Sequence, residues 1–263
     1  MRPHFLVSKI LPAVAALAIL SACSGTGPDN DIYVPEEAVD ALYTKGTDAL
    51  DRGDYKEAAK QFAEVDRQHP YSQWATRAQL MEAYAYYEDM DYDEAIKALD
   101  QYIELHPGNN DIAYAFYLRA LSNYERISDI RRDQTATRNA LKGLKEVISR
   151  YPDTEYAKDA TLKIALIYDH LAGSEMEVGR YYIKQHLYIA AIGRFKTVID
   201  KYQTTSHVPE ALERLVECYV SLGMLGEAKK NAAVLGHNFP GSEWYQDAYN
   251  LLKAKGVTVE KKE

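Results

Sequence analysis

Small and aromatic apolar positions recur at helical spacing along most of the chain, and the same arrangement returns at a fixed distance. In the stretch 176–203 the order is Gly179, Tyr182, Ala191, Phe195. Apolar residues three and four apart mark amphipathic helices, so this stretch predicts two helices joined by a short turn. Residues without bulk at Gly179 and Ala191 let the two helices approach closely, and Tyr182 and Phe195 fill the space on either side. An earlier copy runs Gly53-Asp54-Tyr55, then Ala58, Phe62, Val65 and Pro70, and recurs as Tyr92, Ala95, Leu99, Tyr102 and Pro107. The step is 37 residues from Ala58 to Ala95 and again from Pro70 to Pro107. A period of this length predicts a solenoid of stacked helix pairs.

Two departures from the period predict where the array is irregular. Ala83 maps to Ala120 at the 37 step, but Ala140, Leu144, Val147 and Pro152 lie 45 residues beyond their predecessors. Eight added residues fall around 127–134, in a helix–helix loop. The step from Ala140 to Ala191 is 51 residues, 14 more than the period. Fourteen residues are close to four turns at about 3.6 residues per turn, so the addition can lengthen a helix in phase. One long helix is expected from about Tyr156 to Gln185, weakest at Gly173-Ser174. The step returns to 37 from Ala191 to Ala228, and Ser242 can then cap a last helix from Glu243 to about Lys253, whose Trp244, Ala248, Leu251 and Leu252 cover the end. Pro70, Pro107, Pro152 and Pro240 close units because proline cannot continue a helix; Gln203 replaces it once. The expected fold is all-α, a right-handed superhelix of about five tetratricopeptide (TPR) helix pairs with a C-terminal capping helix. Units 1–3 occupy 36–152, units 4–5 with the long helix and cap occupy 153–254, and 255–263 frays.

The first 22 residues follow a different pattern. Arg2 and Lys9 precede an apolar run from Ile10 to Leu20, too short to span a bilayer and suited to a signal peptide. It ends in Leu20-Ser21-Ala22-Cys23, which resembles a bacterial lipobox and marks Cys23 for lipidation; an ordinary signal peptide ending near a cysteine is the alternative. Residues 23–35 have the composition of a flexible tether. Ser24, where an Asp tends to retain lipoproteins in the inner membrane of enteric-type bacteria, favours the periplasmic face of the outer membrane. Removing Arg2 and Lys9 takes the net charge from −8 to −10, a poor balance for binding nucleic acid. The other cysteine, Cys218, lies among Leu212, Leu215, Tyr219 and Leu222 and reads as a core thiol.

No motif for catalysis, cofactor binding or metal binding emerges: there is no nucleophile elbow, Walker loop, HExxH or Cys-x-x-Cys. His69 and His106 precede unit-ending prolines and suit helix C-termini. The remaining candidate is surface. In a TPR array the first helices line the concave side, at positions that here hold Tyr43, Thr47 and Leu50, then Leu80, Tyr84 and Tyr87, then Tyr117, Leu121 and Tyr124. Tyr43, Tyr84, Tyr87, Tyr117 and Tyr124 are candidates for an extended-peptide groove, or for simple packing between units. Arg180, Lys184 and Arg194 suggest a surface for an acidic partner in unit 4.

Several stretches together resemble one family. They are Leu20-Ser21-Ala22-Cys23, Arg150-Tyr151-Pro152-Asp153-Thr154-Glu155-Tyr156-Ala157, Val178-Gly179-Arg180-Tyr181-Tyr182, Ala190-Ala191-Ile192-Gly193-Arg194-Phe195 and Tyr202-Gln203-Thr204-Thr205. The chain resembles the outer-membrane assembly lipoproteins of the BamD (ComL) family, α-proteobacterial kind, from Cys23 to Leu252. The resemblance implies no catalysis and membership of a complex that inserts β-barrel proteins into the outer membrane. It implies that amino-terminal repeats engage unfolded barrel proteins, and that carboxy-terminal repeats dock the last periplasmic domain of the barrel-forming subunit beside other assembly lipoproteins. Arg194 matches the family's docking arginine. Another periplasmic TPR lipoprotein, such as a secretin pilot or a cell-wall coordination factor, is the alternative.

Overall fold

A computed structural model describes residues 37–257. The signal peptide, Cys23, the tether and residues 258–263 of the tail lie outside the described residues. Eleven helices and no strands are found among the described residues. They form five pairs and a cap: α1 (Val39–Asp51) with α2 (Tyr55–Gln68), α3 (Gln73–Glu88) with α4 (Tyr92–Leu105), α5 (Ile112–Tyr124) with α6 (Thr135–Arg150), α7 (Glu155–Lys184) with α8 (Tyr188–Lys201), α9 (Val208–Ser221) with α10 (Leu225–Asn238), then α11 (Glu243–Ala254). Each helix packs on its sequence neighbours, and α1 meets α3, α3 meets α5 and α5 meets α7. The first helices of the first four pairs therefore line up side by side along one face of the stack.

The ends of the helices repeat as regularly as their cores. Every second helix terminates on a ring residue, His69, His106, Tyr151, Tyr202 or Phe239, whose backbone N–H donates to the carbonyl four residues back. These N–H groups use carbonyls that a helix end would otherwise leave without a partner. Proline follows at four of the five sites, as its missing N–H requires, and Gln203 at the other. The next helix begins on a hydroxyl cap in two pairs and in the terminal α11: Ser72, Thr154 and Ser242 accept from Ala75, Ala157 and Tyr245 N at 3.1, 3.2 and 3.2 Å. Each cap satisfies one of the orphan N–H groups of a new helix.

The expected irregularities are present. The eight added residues fall in the connection between α5 and α6. The 14 added residues lengthen α7, an unbroken helix of 30 residues and about 45 Å. The helix stays continuous at Gly173-Ser174. There Gly173 is buried, and a Cβ on it would lie 3.3 Å from His207 Nε2, so the glycine serves a close approach from α9's N-cap residue. The cap α11 buries Tyr245, Ala248 and Leu252. Tyr245 is the cap residue that sequence spacing did not single out; its ring covers Gly236, where a Cβ would come within 2.5 Å.

Candidate functional site: a tyrosine-lined face and an arginine cluster

The lined-up first helices bring tyrosines from three repeats together. Tyr84 and Tyr87 project from α3, Tyr114, Tyr117 and Tyr124 from α5, and Tyr156 from the first turn of α7. The ring of Tyr117 stacks on Tyr156 at 5.2 Å, Tyr114 lies 5.6 Å from Tyr156, and Tyr87 meets Tyr92 edge-on at 5.8 Å. All are half-buried, so each ring is fixed on one side and open on the other. Tyr114 and Tyr156 were not among the expected groove residues, although Tyr114 stands three residues before Tyr117 on the same helix face.

A charged pair holds this face in place. Tyr117 donates its hydroxyl hydrogen bond to Asp159, and Lys163 Nζ reaches the same carboxylate at 3.1 Å while lying 5.3 Å over the Tyr124 ring. Burial pushes Asp159 upward, but the bonds from Tyr117 and Lys163 outweigh it and hold the carboxyl below its ordinary range. Burial, with the carboxylate of Glu125, pushes Tyr87 up to about 12, and burial with Asp159 raises Tyr117 as well. These hydroxyls are therefore protonated donors at any physiological pH. Tyr124 opens onto a hollow of about 380 Å³ shared with Glu125, Ile127, Leu166, Ile167 and His170.

Tyr43 does not belong to this set. It is 8% exposed, with its ring 5.3 Å from Phe62 and 4.8 Å from Trp74. Trp74 from α3 covers it, an aromatic contact across repeats that single-unit spacing does not reveal. The expectation that Tyr43 faces the groove is corrected accordingly.

The basic residues of the fourth pair divide in a similar way. Arg180 is bound within the protein: Nη1 donates to both oxygens of Glu210 at 2.9 and 3.0 Å, and Nη2 to Glu177 at 2.6 Å. Glu210 comes from α9, so the next repeat supplies the acid that the sequence reading assigned to a partner. Arg194 makes one ion pair, to Glu175 at 3.1 Å, and keeps 43% of its side chain exposed. Lys184 is exposed. Beyond Glu210, Arg214 bonds Glu217 at 2.8 Å and lies 5.8 Å over Trp244. Glu213 is buried beside it; its Oε2 is 3.5 Å from Arg214 Nη1 and accepts no hydrogen bond. Burial pushes this carboxyl up to about 7.

No group of three His, Cys, Asp or Glu that could hold a metal occurs among the described residues, and no described helix is long and apolar enough to cross a membrane. Cys218 is buried, and burial first, then Glu217 and Glu213, push its thiol up to about 12, so it is an unreactive core residue.

Stacked helix pairs that present an aromatic inner face define a repeat scaffold of the TPR class. Comparison with known proteins narrows this further: residues 35–235 match the family model YfiO, described as an outer membrane lipoprotein, and the chain belongs to that family. It is 51% identical to the outer membrane protein assembly factor BamD of Caulobacter vibrioides over 94% of this chain and 81% of that protein. It is 46% identical to the BamD of Rickettsia prowazekii over 94% of this chain and 98% of that protein. Among solved structures, a thermophilic TPR protein of Thermus thermophilus is similar at 18% identity and a TM-score of 0.39, over 82% of this chain and all of that one.

Proposed function

We infer that the protein is an outer membrane protein assembly factor, a scaffold subunit that binds other proteins and is not an enzyme. The observation that carries this is the similarity to BamD proteins over 94% of the chain. The finer reading gives each half a partner. Units 1–3 take unfolded outer membrane β-barrel proteins along Tyr84, Tyr87, Tyr117 and Tyr124, with Tyr114 and Tyr156 beside them. Extended chains offer alternating side chains and unpaired backbone carbonyls; the rings contact the former, and the protonated Tyr87 hydroxyl can donate to the latter. Units 4–5 dock the last periplasmic domain of the barrel-forming subunit, next to other assembly lipoproteins, with Arg194 and Lys184 as the cations turned outward. A lipid on Cys23 holds the chain at the periplasmic face of the outer membrane.

Copurification and crosslinking test the two halves separately. Arg194→Glu places a second carboxylate beside Glu175 and is expected to lower recovery of the barrel-forming subunit about tenfold, with unchanged helicity and recovery restored by Arg194→Lys. Tyr84→Ala with Tyr117→Ala is expected to reduce crosslinking of an unfolded barrel peptide while leaving that recovery intact. Unchanged yields would remove the corresponding partner assignment. Recovery of a secretin instead of a barrel-forming subunit would favour the role of a pilot lipoprotein.

A further inference from the structure

The turns that join first to second helices change character along the array. In the first two pairs the residue preceding the second helix is an aspartate, Asp54 or Asp91, and Asp91 caps α4 by accepting from Glu94 N at 3.4 Å. Around the second turn stand Glu88, Asp89, Asp91, Asp93 and Glu94, with no Lys or Arg between positions 85 and 96. The third connection is the polar loop 125–134. In the fourth and fifth pairs the same position is held by Leu187 and Met224, which give α8 and α10 no side-chain cap.

The apolar side chains there point outward. Leu187 is 52% exposed, Ile189 77% and Tyr181 59%; one repeat later Met224 is 47% exposed, with Leu222 and Leu225 beside it. Exposed Lys184, Lys229 and Lys230 flank them, and Glu227, the one carboxylate within 181–190 and 222–231, is paired to Lys230 at 2.7 Å. Two consecutive repeats thus carry a solvent-exposed aliphatic tip where the first two carry an aspartate, of which Asp91 caps its helix and Asp54 does not. Neither the helix nor the core gains from the exchange.

We propose that this edge of the fourth and fifth pairs is a membrane-contact surface: its aliphatic tips enter the headgroup–acyl boundary and Lys229 and Lys230 meet anionic phosphates. The composition decides between a lipid and a protein occupant. Protein interfaces share tyrosine and methionine with this edge but are depleted in lysine and anchored by tryptophan and arginine, and this edge has three lysines and neither anchor. Interfacial membrane segments combine leucine-type tips with tyrosine and with lysines whose stems run along the apolar surface. The positive edge complements anionic headgroups, whereas the equivalent turn of the second pair, with five carboxylates against the three cations Lys56, Arg126 and Lys97 that pair with Asp89, Asp93 and Glu94, stays net negative. A second attachment of this kind also steadies a protein held by a lipid, because stable anchoring takes more than one signal. The contact does not rest on the partner assignments above.

Site-specific quenching tests it in the full-length lipoprotein. Single variants Leu187→Cys, Met224→Cys, Asp54→Cys and Asp91→Cys are labelled with bimane and returned from detergent to phosphatidylethanolamine vesicles containing roughly 30% phosphatidylglycerol and acyl-chain-brominated lipid. The unsubstituted chain sets the background, and buried Cys218 takes no label. Quenching at positions 187 and 224 is expected to be about threefold that at 54 and 91, and to weaken in vesicles without phosphatidylglycerol. Equal quenching at all four positions overturns the proposal. So does shielded emission at 187 and 224 without lipid quenching, which would mark a second copy of the chain as the occupant. Because no partner protein is present, either failure leaves the copurification and crosslinking results untouched.

Discussion

At the scale of single residues, the helix pairs close by matching a small residue on one helix to a large one on the other. A Cβ on Gly46 would come within 2.6 Å of the Phe62 ring, and one on Gly179 would strike the Phe195 ring. The repeat equivalents are Ala83 with Leu99, Ala120 with Leu144, and Val216 with Ala232, where the sizes are reversed; all six are buried. Close packing tolerates the pair only as a sum, so Gly179→Ala should destabilise the protein by about 1–3 kcal/mol in urea unfolding. Gly193→Ala, on an exposed helical site with nothing within 4 Å, should instead stabilise by about 0.5–1 kcal/mol. Equal effects would mean that helix propensity and not the ring contact governs the site. Two carboxylates make a second residue-scale prediction. Glu213 is pushed up to about 7 by burial, and Glu82 is likewise pushed up to about 7 by burial and by Asp66. A carboxyl raised in the folded state favours folding when protonated. That contribution is complete below the unfolded value of about 4.5 and is lost as pH rises through about 7. The melting temperature should therefore rise from pH 8 to pH 5, and Glu213→Gln should flatten part of that rise; an unaltered pH slope in the variant would show that Glu213 does not titrate with folding.

At the scale of elements, the sequence period made most of the architecture legible. Proline and alanine positions spaced by 37 residues placed the pairs, the surplus of eight placed the α5–α6 loop, and the surplus of 14 placed the length of α7, because that number nearly matches whole helical turns. What period cannot carry is contact between repeats. Glu210 on Arg180, Trp74 on Tyr43, and Tyr156 on Tyr114 and Tyr117 each join residues that lie in different units, and these contacts decide which side chains remain available. Spacing within one unit therefore does not show that Tyr43 is buried or that Arg180 pairs with Glu210, and it does not single out Tyr114 and Tyr156. The length of α7 has a consequence of its own. Its part up to Leu171 supplies Ala160, Ile167 and Leu171 to the core of the middle repeats, and its remainder supplies Ala172 and Met176 to the core of the last ones. Ala165→Pro, at an exposed position between Ala160 and Ile167, would remove a helical hydrogen bond inside the part of α7 that serves the middle repeats. It should cost about 3 kcal/mol or more in urea unfolding and separate the unfolding of the two halves into distinct steps. A single cooperative transition with unchanged midpoint would show that the unbroken helix is not what couples them.

At the scale of the whole array, the buried residues fall into three clusters in chain order. The first joins α1 to α3 around Phe62 and Val65, the second runs from α3 to α7 around Tyr102 and Leu144, and the third from α7 to α11 around Phe195 and Leu235. The first two share α3, and the last two share α7. A stack whose units touch only their neighbours has stability that is local, the sum of each unit and its interfaces. Phe62→Ala, which empties the first cluster and should cost about 3–5 kcal/mol there, is then expected to act over a limited distance. In native-state hydrogen exchange the amides of α1 and α2 should lose protection by the full amount, those of α3 by less because its other side still packs on the second cluster, and those of α8 to α11 by almost nothing. Loss of protection by equal amounts throughout would mean that the five pairs open as one unit. A graded loss would place the tyrosine-lined face, built on α3, α5 and the start of α7, on the part of the array secured from both sides, able to receive a chain while the first pair opens and closes.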